Sequence, residues 1–150
     1  MIDRSSLLAC AQGTDRLPDV EARLRREGLS LDLAAPFEGT VDEWIGSGAP
    51  GSRSPWLDPA DHLVAGFVAR LSDGRALEVR PAPRRAVGPD LFALFFGNGG
   101  AAGRIESVWL RVHPSGVARP AVPFERVEPV VSEAERALWT AIRAELTEKR

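Results

Sequence analysis

The sequence predicts an α+β fold, with an antiparallel sheet of about four to five strands drawn from residues 63–127 and covered by N-terminal helices and a C-terminal helix over 133–148. Three observations lead there. Apolar side chains recur with helical spacing, bracketed by capping residues, over 18–27 and 133–148. They alternate with polar ones on either side of Ser72-Asp73-Gly74. They alternate again in the β-branched stretch that ends at Val112. Helices at both ends with strands gathered between them form segregated layers around one core.

With 150 residues, 44% of them apolar and 27% charged, the composition is that of an ordinary globular protein and far from that of a disordered one. The length suits a single domain, 1–150, burying about two thirds of its unfolded surface without disulfides or metals. The single cysteine, Cys10, excludes an internal disulfide. With His62 and His113 it offers no metal-ligand spacing, so no metal and no cofactor are expected. Residues 1–13 lack the basic start and apolar run of a signal peptide, and no apolar run approaches the ~20 residues of a membrane span. The expectation is a cytoplasmic protein without membrane contact. Lys149 is the only lysine, Asn98 the only asparagine, and tyrosine is absent. This is the imprint of biased, bacterial-type base composition and carries no functional message.

In the first helix, 18–27, Pro18 suits the first turn and Leu17, Val20 and Leu24 share a face. Glu21 and Arg25 are an i,i+4 pair, and Gly28 is placed to close the helix left-handed. Leu29, Leu31 and Leu33 alternate as in a half-buried strand. Thr40 and Glu43 form a capping-box pattern for a helix that Gly46 is expected to cut to a single turn. Residues 46–55 hold little but Gly, Ser, Ala and Pro, the make-up of a surface loop, with Trp44 and Trp56 on either side. Asp58 and Pro59 then suit a helix start.

Between residues 63 and 80 the pairing register can be argued. A two-residue turn at Asp73-Gly74 would set Ala69 opposite Glu78 and Phe67 opposite Arg80, apolar against charged. A three-residue loop with Gly74 left-handed instead sets Ala69 opposite Leu77 and Phe67 opposite Val79, gathering Leu63, Ala65, Phe67, Leu77 and Val79 on one face. The second register is the prediction. Pro81, Pro83 and Pro89 mark a connection. Residues 91–96 suit a central strand or a short buried helix, and the strand is preferred. Residues 104–112 suit a strand, although Ile105, Val108, Trp109 and Val112 also have helical spacing. Residues 113–116 form a turn, and 117–127, with Pro120 and Pro123, an edge or irregular strand. Ser132 and Glu135 cap the last helix, whose stripe is Ala134, Leu138, Ile142 and Leu146.

Three groups of residues carry chemical possibilities. Trp44, Arg53 and Trp56, around the 44–57 loop, combine apolar area with polar handles, as binding surfaces do. They predict a non-catalytic protein-interaction module, an inhibitor, accessory or immunity-type protein, with a protein partner. Gly97, Asn98, Gly99, Gly100 and Arg104, joined by Arg84 and Arg85 from the basic middle third, make a candidate anion site for a small-molecule or nucleotide phosphate. Gly97 to Ala102 spells G-x-G-x-x-A, but a dinucleotide fingerprint also needs a strand before it and a helix starting at the loop. The flanking segments secure neither. Asp61 and His62, beside Asp58, are the local acid/base cluster and support a small hydrolase as a further reading, without a nucleophile motif. No catalytic residue is assigned. A net charge of −2 and the lack of interleaved aromatics argue against nucleic acid.

Overall fold

The computed structural model describes residues 1–33, 35–48, 63–82, 91–117 and 133–148. In chain order the elements are β1 (Ile2–Asp3), β2 (Leu8–Gln12), α1 (Leu17–Arg26), β3 (Leu29–Ser30), α2 (Val41–Ser47), β4 (Val64–Leu71) and β5 (Ala76–Val79). A 3-10 turn at Leu91–Leu94, β6 (Gly103–Arg111), β7 (His113–Pro114) and α3 (Glu133–Glu148) follow. Strands β1, β2, β6, β4 and β5 lie side by side in that order as one antiparallel sheet, while β3 and β7 pair separately. The fold is α+β around a five-stranded antiparallel sheet, as the patterning predicts.

Two of those strands come from residues 2–12, outside the 63–127 stretch expected to supply the sheet. Leu8-Ala9-Cys10-Ala11 shows no alternation because Leu8, Ala9 and Ala11 are all buried. A strand covered on both faces loses its period-two signal, and alanine adds little β preference of its own.

The β4–β5 hairpin has the predicted register, with Ala69 opposite Leu77 and Phe67 opposite Val79, and Gly74 at φ 86°. In β6 the source of the mixed periodicity is visible. Val68 faces Ser107 while Ala69 faces Ile105, which leaves Glu106 as an extra residue, a β-bulge. Ile105 and Val108 are therefore both buried, 3% and 0% exposed, at a spacing of three that imitates a helix.

One apolar cluster joins Phe67, Ala69, Val108 and Leu110 of the sheet to Leu17, Val20 and Leu24 of α1 and to Val41, Trp44 and Ile45 of α2. α1 is closed by Gly28 at φ 71°. Glu21 not only pairs with Arg25 at 2.8 Å but also accepts the Ser30 hydroxyl at 2.7 Å and the Leu31 N–H at 2.8 Å, tying the helix to β3.

Other expectations are corrected. Residues 91–94 form a 3-10 turn rather than a strand. The turn lets Phe92 and Phe95 reach Phe67 together, with ring centroids 6.0 and 5.4 Å away. α2 continues through Gly46 and closes at Gly48, φ 67°. On α3, Leu138 is 60% and Ile142 38% exposed, so these members of its apolar stripe are not buried against the sheet. The Asp58 helix start and nearly all of the proposed 117–127 strand lie outside the described residues. No helix among the described residues is long and apolar enough to cross a membrane.

Candidate functional site

The site is a junction between two glycine-bearing backbones, the end of α2 and the 97–103 loop. α2 is fixed first at its N-terminus. The Glu43 N–H donates to the Thr40 hydroxyl oxygen at 3.2 Å, and the Thr40 N–H donates to the Glu43 carboxylate at 2.8 Å, a reciprocal capping box. The Thr40 backbone N–H, and after it the Thr40 hydroxyl, hold the Glu43 carboxyl below its ordinary value. Asp42 then anchors the helix to the sheet by accepting the Ile105 N–H at 2.8 Å, and its own N–H donates to the Gly13 carbonyl at 2.9 Å.

At its other end α2 receives the loop. The Gly97 N–H donates to the Ile45 carbonyl at 3.0 Å and the Gly99 N–H to the Gly46 carbonyl at 2.9 Å. These carbonyls lie in the last turn of the helix, where i+4 donors run out; Ile45 also accepts the Gly48 N–H of the C-cap at 3.2 Å. The approach is close because side chains are missing on both sides: a Cβ placed on Gly48 would lie 3.1 Å from the Gly97 Cα, tighter than nearly all real contacts. The loop itself is a compact double turn. Gly97, Gly99 and Gly100 all have positive φ, 70°, 63° and 80°. The Asn98 side chain donates to the Leu94 carbonyl and accepts the Gly100 N–H, the latter at 2.9 Å. The loop is therefore docked on the end of α2.

Part of the loop at this junction is uncovered. A Cβ on Gly99 would meet nothing within 4 Å. The amides of Asn98 and Ala102 have no protein acceptor among the described residues. Arg104 is exposed and stands opposite Arg70 in the β4–β6 register. Arg70 is occupied, pairing with Glu106 at 3.0 Å, whereas Arg104 has no carboxylate partner among the described residues. Phe96, just before the loop, is 48% exposed and Leu94 49%.

Of the residues singled out from the sequence, Gly97, Asn98, Gly99 and Gly100 are thus brought together on α2, whereas Arg104 stands with Arg70 at the next ladder position after the core-facing Ala69–Ile105 pair. Trp44 is not a surface residue: it is 3% exposed and belongs to the core cluster. Its indole nitrogen is nevertheless buried without a hydrogen-bond partner. Arg53, Trp56, Asp61, His62, Arg84 and Arg85 lie outside the described residues. Among the described residues no group of three or more His, Cys, Asp or Glu side chains is placed to hold a metal. Asp42 and Phe96 were not expected at a site, and Gly46 and Gly48 only as part of the 44–57 partner-binding loop. Gly46 reads in sequence as a helix breaker and Phe96 as part of a strand, and nothing local links them to residues fifty positions away.

No protein-family model matches the chain. It is 27% identical over 113 residues to the uncharacterized FAD-linked oxidoreductase YgcU of Escherichia coli strain K12, covering 74% of this chain and 23% of that protein; the O157:H7 protein gives the same figures. Two solved structures of alkyldihydroxyacetonephosphate synthase superpose with TM-scores of 0.62 and 0.61 at 26% and 25% identity, over 76% of this chain and 20% and 21% of those chains. The chain therefore spans about a fifth to a quarter of the length of the relatives it matches. These likenesses overturn the expected non-catalytic interaction module, which rested on Trp44 and Trp56 as a partner surface. The proteins it resembles are named as an FAD-linked oxidoreductase and as a synthase.

Proposed function

We propose that this chain contributes a flavin-dinucleotide-binding segment to an FAD-linked oxidoreductase, with the α2–loop junction receiving the dinucleotide's phosphates. The observation that carries the reading is the pair of glycine backbones in contact at Gly48 and Gly97, on a chain similar to a protein named as FAD-linked. The residues present fit the group. Phosphate oxygens need donors and close backbone approach; the junction offers the Asn98 and Ala102 amides and an uncovered Gly99, and Arg104, exposed close by in the chain, is the cation we assign to the phosphates.

When bound, the flavin would supply two-electron redox chemistry, which side chains alone do not provide. The chain's own part is to bind and to orient. Gly97 and Gly99 fix the loop on α2, Asn98 holds its shape, and Arg104 balances phosphate charge. Asp42 and the capping box keep α2 at the height the loop requires. No side chain among the described residues is assigned a proton-transfer role.

The test is a titration of the 150-residue chain with FAD, followed by backbone amide chemical shifts. Saturable shifts centred on residues 97–104 and 46–48 are expected, and ADP, which shares the pyrophosphate, should move the same amides. If millimolar FAD and ADP leave those amides unmoved, the reading is wrong.

A further inference from the structure

Resting on that flavin-dinucleotide reading, we propose that Phe96 is the platform on which a planar heteroaromatic ring of the bound dinucleotide stacks. The phosphates account for the glycine junction and for Arg104. They do not account for an aromatic ring left 48% exposed directly beside it. A phenylalanine face in water is unfavourable unless something flat covers it, and a nucleotide carries a phosphate group and a flat ring as neighbouring parts.

Phe96 is held, not dangling. Its N–H donates to the Phe92 carbonyl at 3.2 Å, and the next N–H, of Gly97, donates to the Ile45 carbonyl at 3.0 Å. One side of its ring leans on Phe92, with centroids 5.8 Å apart at 44°. Phe92 in turn packs on the buried Phe67 at 6.0 Å. The ring is thus propped from the core while the residue stays about half exposed.

It is also continuous with the junction. A Cβ on Gly48 would lie 3.8 Å from the Phe96 Cε1, so with glycine there no side chain stands between ring and loop at that point. Leu94, 49% exposed, extends the apolar surface. The combination of an unobstructed glycine turn and a propped aromatic face matches the two chemistries of a nucleotide. Both adenine and isoalloxazine are planar heteroaromatic rings, so the shared chemistry is stacking, and the two are separated by the choice of probe.

FAD, FMN and ADP are titrated against the wild-type chain, Phe96→Ala, Phe96→Leu and Phe96→Trp, by calorimetry and by flavin emission. Phe96→Ala and Phe96→Leu should both bind FAD about tenfold more weakly, the order of a lost ring stack. FMN should weaken with them if isoalloxazine sits on Phe96, and ADP if adenine does. Phe96→Trp should bind at least as tightly as wild type.

Phe96→Leu guards against a trivial cause, because it keeps apolar contact with Phe92 while removing the π face. FAD binding by Phe96→Leu that equals wild type would overturn stacking, as would an unchanged Phe96→Ala. Gly99→Val separates this inference from the reading beneath it. If Gly99→Val weakens FAD binding and Phe96→Ala does not, the phosphate site stands and the stacking platform falls. If the wild-type chain binds none of the three, both fall.

Discussion

The carboxylate of Asp42 accepts the backbone N–H of Ile105 at 2.8 Å, across sixty-three positions of sequence. Ile105 lies where the Glu106 bulge interrupts the β4–β6 ladder, and a bulge leaves part of the ladder unpaired. The side chain from the first turn of α2 takes up a donor there. It fixes α2 on β6, and with it the height at which Gly46 and Gly48 meet the 97–103 loop. Asp42→Ala should cost about 1–2 kcal/mol in urea unfolding, the cost of stranding a half-buried N–H. Asp42→Asn, which keeps an acceptor oxygen, should lose less. Equal losses would mean that the bond itself does not carry the anchor.

Two glycines of one loop should respond in opposite ways to the same methyl group. A Cβ on Gly103 would fall 2.1 Å from the Arg70 carbonyl oxygen, inside the β4–β6 pairing. Gly103→Ala should therefore destabilise by about 3 kcal/mol or more, because backbone rather than a flexible side chain must give way. A Cβ on Gly99 would meet nothing within 4 Å, so Gly99→Ala carries only the strain of a left-handed alanine, about 1 kcal/mol. If phosphates approach this uncovered side of the loop, FAD affinity should nevertheless fall in Gly99→Ala, because its methyl group would stand in their way. Thermal unfolding and FAD titration of both variants check the contrast.

Trp44 separates the surface that the sequence suggested from the one the fold presents. Buried at 3% exposure, it should lose about 3–5 kcal/mol on replacement by alanine, as large aromatic truncations in cores do. Trp44→Phe should cost much less, since the change also removes an indole N–H that has no acceptor, and a buried unsatisfied donor carries its own penalty of about 1–3 kcal/mol. A mild Trp44→Ala variant would return the residue to the surface.

How far the sequence reaches depends on whether a signal is local. Pro18, Gly28 and the Glu21–Arg25 pair lie within one helix, and α1 follows from them. The β4–β5 register was decided by which side chains face each other across a three-residue loop, also a local question. The strand Leu8–Gln12 was not legible, since burial on both faces removes its alternation. Nor was the candidate site. The G-x-G-x-x-A spelling drew attention to Gly97 and Gly99, but the element that meets them is the end of α2, not a strand and helix on either side. Phe96 gives no hint in sequence that it stays half exposed.

The capping box predicts a pH dependence with a definite sign. Glu43 has its carboxyl held below the ordinary 4.5 by the Thr40 N–H and then the Thr40 hydroxyl. A group whose folded value is depressed contributes stability that is full above its unfolded value and is lost as pH falls through the folded one. Glu43→Gln retains a capping acceptor but cannot titrate. The stability difference between wild type and Glu43→Gln should be constant near neutral pH and shrink as pH drops below 4.5. Asp3, lowered to about 2 chiefly by the Ser5 hydroxyl, and Asp73, lowered by the Arg75 side chain, are common to both proteins and cancel in the difference.

Arg104 gives the most direct separation of fold from function. It faces Arg70 across the β4–β6 pairing, a like-charge arrangement that is unfavourable in itself. Arg70 is compensated by Glu106 at 3.0 Å, and Arg104 is exposed without a carboxylate partner among the described residues. Removing its charge should therefore leave stability within about 0.5 kcal/mol of wild type, or raise it slightly. If the guanidinium instead serves a bound phosphate, Arg104→Gln should weaken FAD and ADP together by roughly five- to twentyfold, as loss of a charge-assisted hydrogen bond does. The loss should shrink as salt screens the pair. Arg70→Gln is the control: it breaks an exposed ion pair worth at most about 1 kcal/mol and should leave both affinities unchanged. Equal binding by Arg104→Gln and wild type at low salt would remove Arg104 from the phosphate site while leaving the glycine junction to be judged by Gly99.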